Sequence, residues 1–320
     1  PLLYRPFDLR WITYHPEKLE RPRYQVLHHL LEGDNIGLMF SRSAAQGNPF
    51  NHAFCLTTLP LARSFADAAC IAYVAPLYLY PNGNDHPTLF DYQNGRRPNL
   101  SAQFIGNIEQ QLNLAFIPDG AGDLDTTVGP EDVLHYLYAV LHSPTYRTRY
   151  AAFLKIDFPR VPITSDKELF KRLAAYGAAL VDLHLLRLPG SGGVGGAGGA
   201  ALLDKPTEQG ISQQAVTTAP IDRVSYHAQH QRVVVGKDMF FEGVEPAIWD
   251  LQIGGYQPLQ KWLRDRKGRT LSFDDTLHYM RMIVALRETQ RLMAEIDQMV
   301  SMSRLISSTR TECVNAPEEI

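Results

Sequence analysis

Apolar and polar positions change their period several times along the chain. In the first 80 residues, short aliphatic and aromatic runs at 35–41, 52–58 and 69–80 are separated by Gly, Asn, Pro and Ser, a pattern that predicts strands. From about residue 100 the period becomes helical. Residues 101–114 are one candidate helix. In 131–142, Leu134, Leu137, Tyr138 and Leu141 share a face behind Pro130 and an acidic first turn. In 165–186, Leu169, Leu173, Tyr176, Leu180 and Leu183 recur at helical spacing, and Ser165 with Glu168 predicts a capping box.

Residues 189–201, PGSGGVGGAGGAA, interrupt this order. Glycine loses much entropy on ordering and offers nothing to pack, so the run predicts a flexible loop or linker. Residues 222–242 then predict a hairpin with arms at 223–226 and 233–235, the second leading into Phe240 and Phe241. A short helix around 259–266 follows Pro258. Ser272 with Asp275 caps a long helix to about Val300, striped by Tyr279, Ile283, Leu286, Met293 and Ile296. There is no internal repeat. The expected fold is α+β, with mixed small sheets and packed helices in two lobes separated by a glycine-rich linker. The expected boundaries are 1–188 for the first lobe, 189–220 for the linker, 221–305 for the second lobe and 306–320 for a frayed tail.

Composition narrows the class. At 320 residues, 45% hydrophobic and 20% charged, the sequence is that of a soluble globular protein. No apolar run approaches the ~20 residues that span a bilayer, so no membrane partner is expected. The chain starts at Pro1 inside an aromatic and basic motif, without a signal-peptide pattern, and reads as a piece of a longer polypeptide. Three cysteines, Cys55, Cys70 and Cys313, form no CxxC pair, which argues against a disulfide framework and a zinc site and fits a reducing cytoplasm. The net charge of −3 excludes a protein coated in positive potential but leaves room for a local basic cleft. Charge is in fact uneven: 261–269 carries five cations and one anion, whereas 119–132 holds five acids and no Lys or Arg.

Catalytic motifs are missing. The glycine run lacks a following GK[ST], an apparent βαβ unit and a ribose-binding acid. Asn48-Pro49-Phe50 is one proline short of the Asn/Asp-Pro-Pro-aromatic turn that grips an exocyclic amine, and reads as an ordinary turn. No acid–acid–lysine nuclease pattern and no GxSxG elbow occurs. The 11 histidines show no HExxH or zinc-finger spacing and read as hydrogen-bonded, partly buried groups. No catalytic residue, metal site or cofactor site is expected.

Two clusters point to nucleic acid instead. Tyr4-Arg5-Pro6-Phe7-Asp8-Leu9-Arg10-Trp11, with Arg21-Pro22-Arg23-Tyr24 after it, interleaves arginines and aromatics. An arginine fork suits phosphate oxygens or the guanine edge. Equally, Asp8 can simply pair with Arg5 or Arg10, and for these residues a packed network is the favoured reading. Arg21 and Arg23, with fewer acids nearby, are candidate DNA contacts. The second cluster is Gly254-Gly255-Tyr256-Gln257 running through Pro258 into Lys261-Trp262-Leu263-Arg264-Asp265-Arg266-Lys267-Gly268-Arg269. Two glycines, a helix start and dense cations suit phosphate contacts that position a protein on DNA. A solvated cationic helix end is the alternative. The candidate DNA-binding residues are Arg21, Arg23, Tyr256, Gln257, Lys261, Arg264, Arg266, Lys267 and Arg269.

Longer stretches carry a family resemblance. YRPFDLRWITYHP with ERPRY (4–24), NIGLMFSR (35–42), APLYLYP (75–81), RPNLS (97–101), 131–164, 169–186 and FEGVEPAIWDLQIGGYQPLQKWLRDRKGRTLSFDD (241–275) resemble the C-terminal specificity domain of type ISP restriction–modification enzymes and related large adenine methyltransferases. The resemblance implies a sequence-specific double-stranded DNA recognition part, non-catalytic in itself. It would work with an upstream methyltransferase domain that uses S-adenosylmethionine on the N6 of a flipped adenine. ATP and Mg would serve further upstream parts. The alternative function is a protein-interaction or scaffold module of a DNA-processing complex without base readout.

Overall fold

The computed structural model describes residues 1–19, 22–42, 49–65, 71–81, 95–187, 213–214, 219–236, 239–303 and 305. The glycine run, Asn48, Cys70, Cys313 and the tail from 306 lie outside them.

The first 81 residues are mostly strand. A hairpin of β1 (Leu2–Arg5) and β2 (Asp8–Arg10) turns at Phe7, whose φ is 65°, and a short helix α1 (Tyr24–Leu27) follows. The three expected strands form: β3 (Gly37–Ser41) pairs antiparallel with β4 (Ala53–Leu56) on one side and β6 (Ala72–Pro76) on the other. Between them β5 (Leu59–Pro60) runs parallel to β1, and β7 (Tyr78–Leu79) pairs with β8 (Arg97–Pro98).

The helical region follows the sequence closely. Helix α2 (Ala102–Leu112) starts where the Ser101 side chain accepts from Phe104 N–H. Two parallel pairs of residues, β9 (Ala115–Phe116) and β10 (Thr127–Val128), lead to α3 (Pro130–His142). The acids of 119–132 shape this loop. Asp123 accepts from the N–H groups of Asp125, Thr126 and Thr127, which hold its carboxyl below the usual range. Asp119 pairs with Arg96 at 2.7 Å. Helices α4 (Pro144–Arg149) and α5 (Ala151–Leu154) precede α6 (Lys167–His184). The cap of α6 is Asp166, not Ser165: the Asp166 carboxylate accepts from Leu169 N–H at 3.1 Å. Aspartate caps as well as serine, and here it stands at the position whose backbone is still extended.

Beyond residue 187, β11 (Gln213–Gln214), inside the stretch read as linker, pairs with β14 (Met239–Phe241). The expected hairpin forms from β12 (Val224–His227) and β13 (Arg232–Val235), and β14 completes a four-stranded antiparallel sheet. Helices α7 (Pro246–Trp249), α8 (Pro258–Arg264) and α9 (Phe273–Met302) follow, the last with the Ser272–Asp275 capping box in place.

Elements on both sides of residues 189–220 share one buried core. Met39, Phe54, Tyr138 and Leu180 belong to the same cluster as Phe241, Leu259, Ile283 and Ile296. The α3–α6 crossing is close because Gly177 lies against the α3 backbone; a Cβ there would stand 1.8 Å from the His135 carbonyl oxygen. Tyr136 stacks on Phe170 and donates its hydroxyl to Pro162 O, while Tyr146 donates to Arg160 O, so two tyrosines pin the proline-rich 160–164 segment. No helix among the described residues is long and apolar enough to cross a membrane.

Candidate nucleic-acid interface

The aromatic and basic N-terminus is an internal network. Asp8, 2% exposed, accepts from Arg266 Nη2 at 3.0 Å and Arg10 Nη2 at 3.3 Å. The guanidinium groups of Arg5 and Arg10 lie over the Tyr4 ring, and Arg5 also donates to the carbonyl oxygen of Arg63. Phe7 packs edge-on against Phe54. These residues join β1 and β2 to the segment after α8. Arg21 lies outside the described residues. Arg23 is exposed, holds a left-handed conformation (φ 52°) at the start of α1, and its side chain bonds to no described residue.

The second cluster divides in the same way. The glycines do permit a close approach, but to the protein itself: Gly254 N–H donates to Asn51 O and Gly255 N–H to Phe65 O. Gly254 has φ 66°, and a Cβ there would stand 2.6 Å from Phe65 O. The Tyr256 hydroxyl donates to Ser64 O and the Gln257 amide to Asp250. Lys261 is paired with Asp265 one turn along α8. Arg266 lies 3.6 Å over the Trp262 ring while it holds Asp8. The ends of α8 are therefore locked into the fold. Tyr256, Gln257, Lys261 and Arg266 all have internal partners.

Arg264, Lys267 and Arg269 are different. All three are exposed, and none forms an ion pair with a described residue. Two backbone hydrogen bonds, Gly268 N–H to Ile221 O (2.8 Å) and Ile221 N–H to Arg269 O (2.9 Å), clasp this turn to the strand that opens the second hairpin. Gly268, at φ 81°, supplies the turn. The clasp brings Arg223, likewise exposed and unpaired, beside Arg264 and Lys267. These three cations and Asp222 line an open hollow of about 430 Å³. Arg223 was not among the residues marked by sequence. Nothing local distinguishes it, because its neighbours in the hollow come from 40 residues further along the chain.

The expectation of partly buried, hydrogen-bonded histidines holds for His142 and His184 and fails for His15, His227 and His230, which are exposed. His184 contacts the Tyr138 hydroxyl and lies 3.0 Å from Thr289 Oγ1; His142 Nδ1 lies 2.8 Å from Tyr138 O. Among the described residues no three His, Cys, Asp or Glu side chains are grouped to hold a metal.

Comparison with known proteins decides the family. The family model of the Type ISP C-terminal specificity domain matches residues 1–295. The chain belongs to that family. The specificity domain also has the fold of larger solved proteins. It superposes on the ATP-dependent Type ISP restriction–modification enzyme LlaBIII bound to DNA with a TM-score of 0.63 and 17% identity, over 92% of this chain and 18% of that one. A nuclease-deletion mutant of the Type ISP enzyme LlaGI with a DNA substrate mimic gives 0.59 and 16%, over 92% and 20%. The DrdV–DNA complex gives 0.58 and 22%, over 95% and 28%. This chain thus spans less than a third of each of those proteins. Curated proteins give no match.

Phe50 of the Asn48-Pro49-Phe50 segment is buried, with its ring beside His52. It is closed to stacking on a base, and no catalytic step is assigned to this chain.

Proposed function

We propose that this specificity domain reads duplex DNA for a longer restriction–modification polypeptide and holds it by phosphate contacts centred on Arg223, Arg264 and Lys267, with Arg269 alongside. The observation that carries the reading is the convergence of unpaired cations from two chain segments in one hollow, on a protein whose net charge is −3. A local positive field on an acidic protein suits a polyanion bound in one place and orientation. Phosphate contacts set register, and base edges in the grooves supply sequence information. The DNA in the complexes of LlaBIII, LlaGI and DrdV supports this reading. Arg23 is a further candidate contact. In this scheme catalysis belongs to upstream parts. A methyltransferase domain with S-adenosylmethionine takes the flipped target adenine for N6 methylation, and ATP and Mg serve cleavage.

The test is the double variant Arg264→Ala/Lys267→Ala, titrated with cognate and unrelated duplexes from low salt upward. Affinity should fall alike for both duplexes, and the slope of log affinity against log salt should drop by about two. An unchanged slope and affinity would remove this turn from the interface.

A further inference from the structure

A second cavity, also about 430 Å³, opens beside α4. Its lining includes the polar Asn51, His142 and Arg147 and the apolar Leu251, Ile253 and Met293. Arg147 is the unusual member. Its Nε donates to Leu141 O at 2.6 Å and its Nη1 to Asn51 Oδ1 at 3.0 Å. Both acceptors are neutral. Its Nη2 bonds to no described residue, and no described carboxylate pairs with it. Burial pulls its pKa down to about 10. A desolvated cation without a counter-charge is costly, and such groups are ordinarily paired. Arg96 and Arg266 each have a carboxylate, and the part-buried Arg5 and Arg287 donate to backbone carbonyl oxygens; what sets Arg147 apart is that it lines a cavity.

The neighbouring groups define what is missing. Because an arginine only donates, Asn51 must turn its oxygen to Arg147, which leaves its amide N–H groups free. The Tyr138 carbonyl only accepts, so His142 Nδ1 carries the proton and Nε2 presents a lone pair. His184 contributes little, being bonded to Tyr138 and Thr289. Arg147, Asn51 and His142 therefore offer the cavity a cationic donor, an amide donor and an acceptor, and Gln252, Gln290 and Thr289 add further polar groups to the lining.

We propose that this cavity is an anion site that takes a phosphate group, with Arg147 as its counter-charge, Asn51 as a second donor and His142 Nε2 accepting from a P–OH. A P–OH is present on free phosphate and on phosphomonoesters but not on a phosphodiester, so a small phosphate ligand suits the site better than the DNA backbone. The site is separate in residues from the hollow of Arg223, Arg264 and Lys267.

Calorimetric titration of the whole chain with inorganic phosphate tests this. Saturable binding with a Kd of about 1 mM or tighter is expected. Arg147→Met should weaken it at least about tenfold. Asn51→Asp is the second variant: it places a carboxylate against Arg147 inside the fold. It should keep or raise the thermal midpoint and lose phosphate binding by a similar factor. Arg264→Ala/Lys267→Ala should leave phosphate binding intact, which separates this site from the DNA contacts. Duplex DNA should fail to displace the phosphate; displacement by duplex would overturn the P–OH contact to His142 and the small-ligand assignment with it. Absence of saturable phosphate binding by the unaltered chain, or unchanged binding in Asn51→Asp, would overturn it.

Discussion

Arg264 and Arg266 are two residues apart, yet the structure gives them opposite surroundings, one exposed and one paired with Asp8, and replacing each by alanine tests the separate roles proposed for them. Arg266→Ala removes the 3.0 Å partner of Asp8, a hydrogen bond to Trp262 O and the stacking over the Trp262 ring. Breaking a buried ion pair costs ~3–5 kcal/mol when the stranded charge has no other partner. Asp8 retains Arg10 at 3.3 Å, which lowers that cost. The lost cation–π contact adds ~0.5–2 kcal/mol. Together these give a loss of about 2–4 kcal/mol, a large share of the ~5–15 kcal/mol that holds a typical domain folded. Arg264→Ala, on an exposed and unpaired side chain, should stay within about 0.5 kcal/mol. Thermal unfolding of the two variants should therefore show a drop of several degrees for Arg266→Ala and almost none for Arg264→Ala. DNA binding at low salt should show the reverse order in salt slope. If Arg266→Ala unfolded with the unaltered protein while lowering the salt slope by about one, the internal network would be wrong and Arg266 would be a phosphate contact.

Three further outcomes follow from the packing. Gly177→Ala should destabilise by at least ~1–3 kcal/mol in denaturant unfolding, because the new methyl meets the His135 carbonyl oxygen and forces α3 and α6 apart. Asp297 accepts from Ser143 Oγ, Thr145 N–H and Thr145 Oγ1, so Asp297→Ala should free the start of α4 from α9 at a cost of ~1.5–3 kcal/mol, read as a lower midpoint. Burial lowers the pKa of His184 from 6.5 to about 3 and holds that of His142 well below 6.5. Above pH 6.5 both are neutral folded or unfolded. Below it only the unfolded chain takes up the protons, so stability should decline from about pH 6.5 toward pH 3, by up to ~1.4 kcal/mol per pH unit for each histidine. A stability profile flat between pH 7 and pH 5 would contradict this.

Local periodicity made most elements legible. The long helices, the 223–235 hairpin and the three strands before residue 80 stand within a few residues of where their patterns put them, because each buries one face and that face recurs at the period of its backbone. The exchange of Ser165 for Asp166 as the cap of α6 shows the limit: both residues can cap, and only the chain path into the helix chooses between them. The basic run was legible as composition and illegible as function. Its five cations look equivalent in sequence. Asp265 and Asp8 neutralise two of them, one by a local contact and the other from 258 residues away. Arg223 and Arg147 acquire their meaning the same way, from neighbours that only folding supplies.

For the proposed DNA contacts, the backbone clasp between Ile221 and the Gly268–Arg269 turn lowers the entropy cost of binding. Its two hydrogen bonds fix the main chain under Arg223, Lys267 and Arg269, and Leu259 and Leu263 of the preceding helix are buried in the same core as α9. The cations therefore stand on a preorganised platform. Ordering that platform is a cost of folding the protein and is already met before any DNA arrives. On association the ordering cost falls mainly on the long side chains, at ~0.5–1.5 kcal/mol for each one immobilised, so even a few phosphate contacts can leave a net gain.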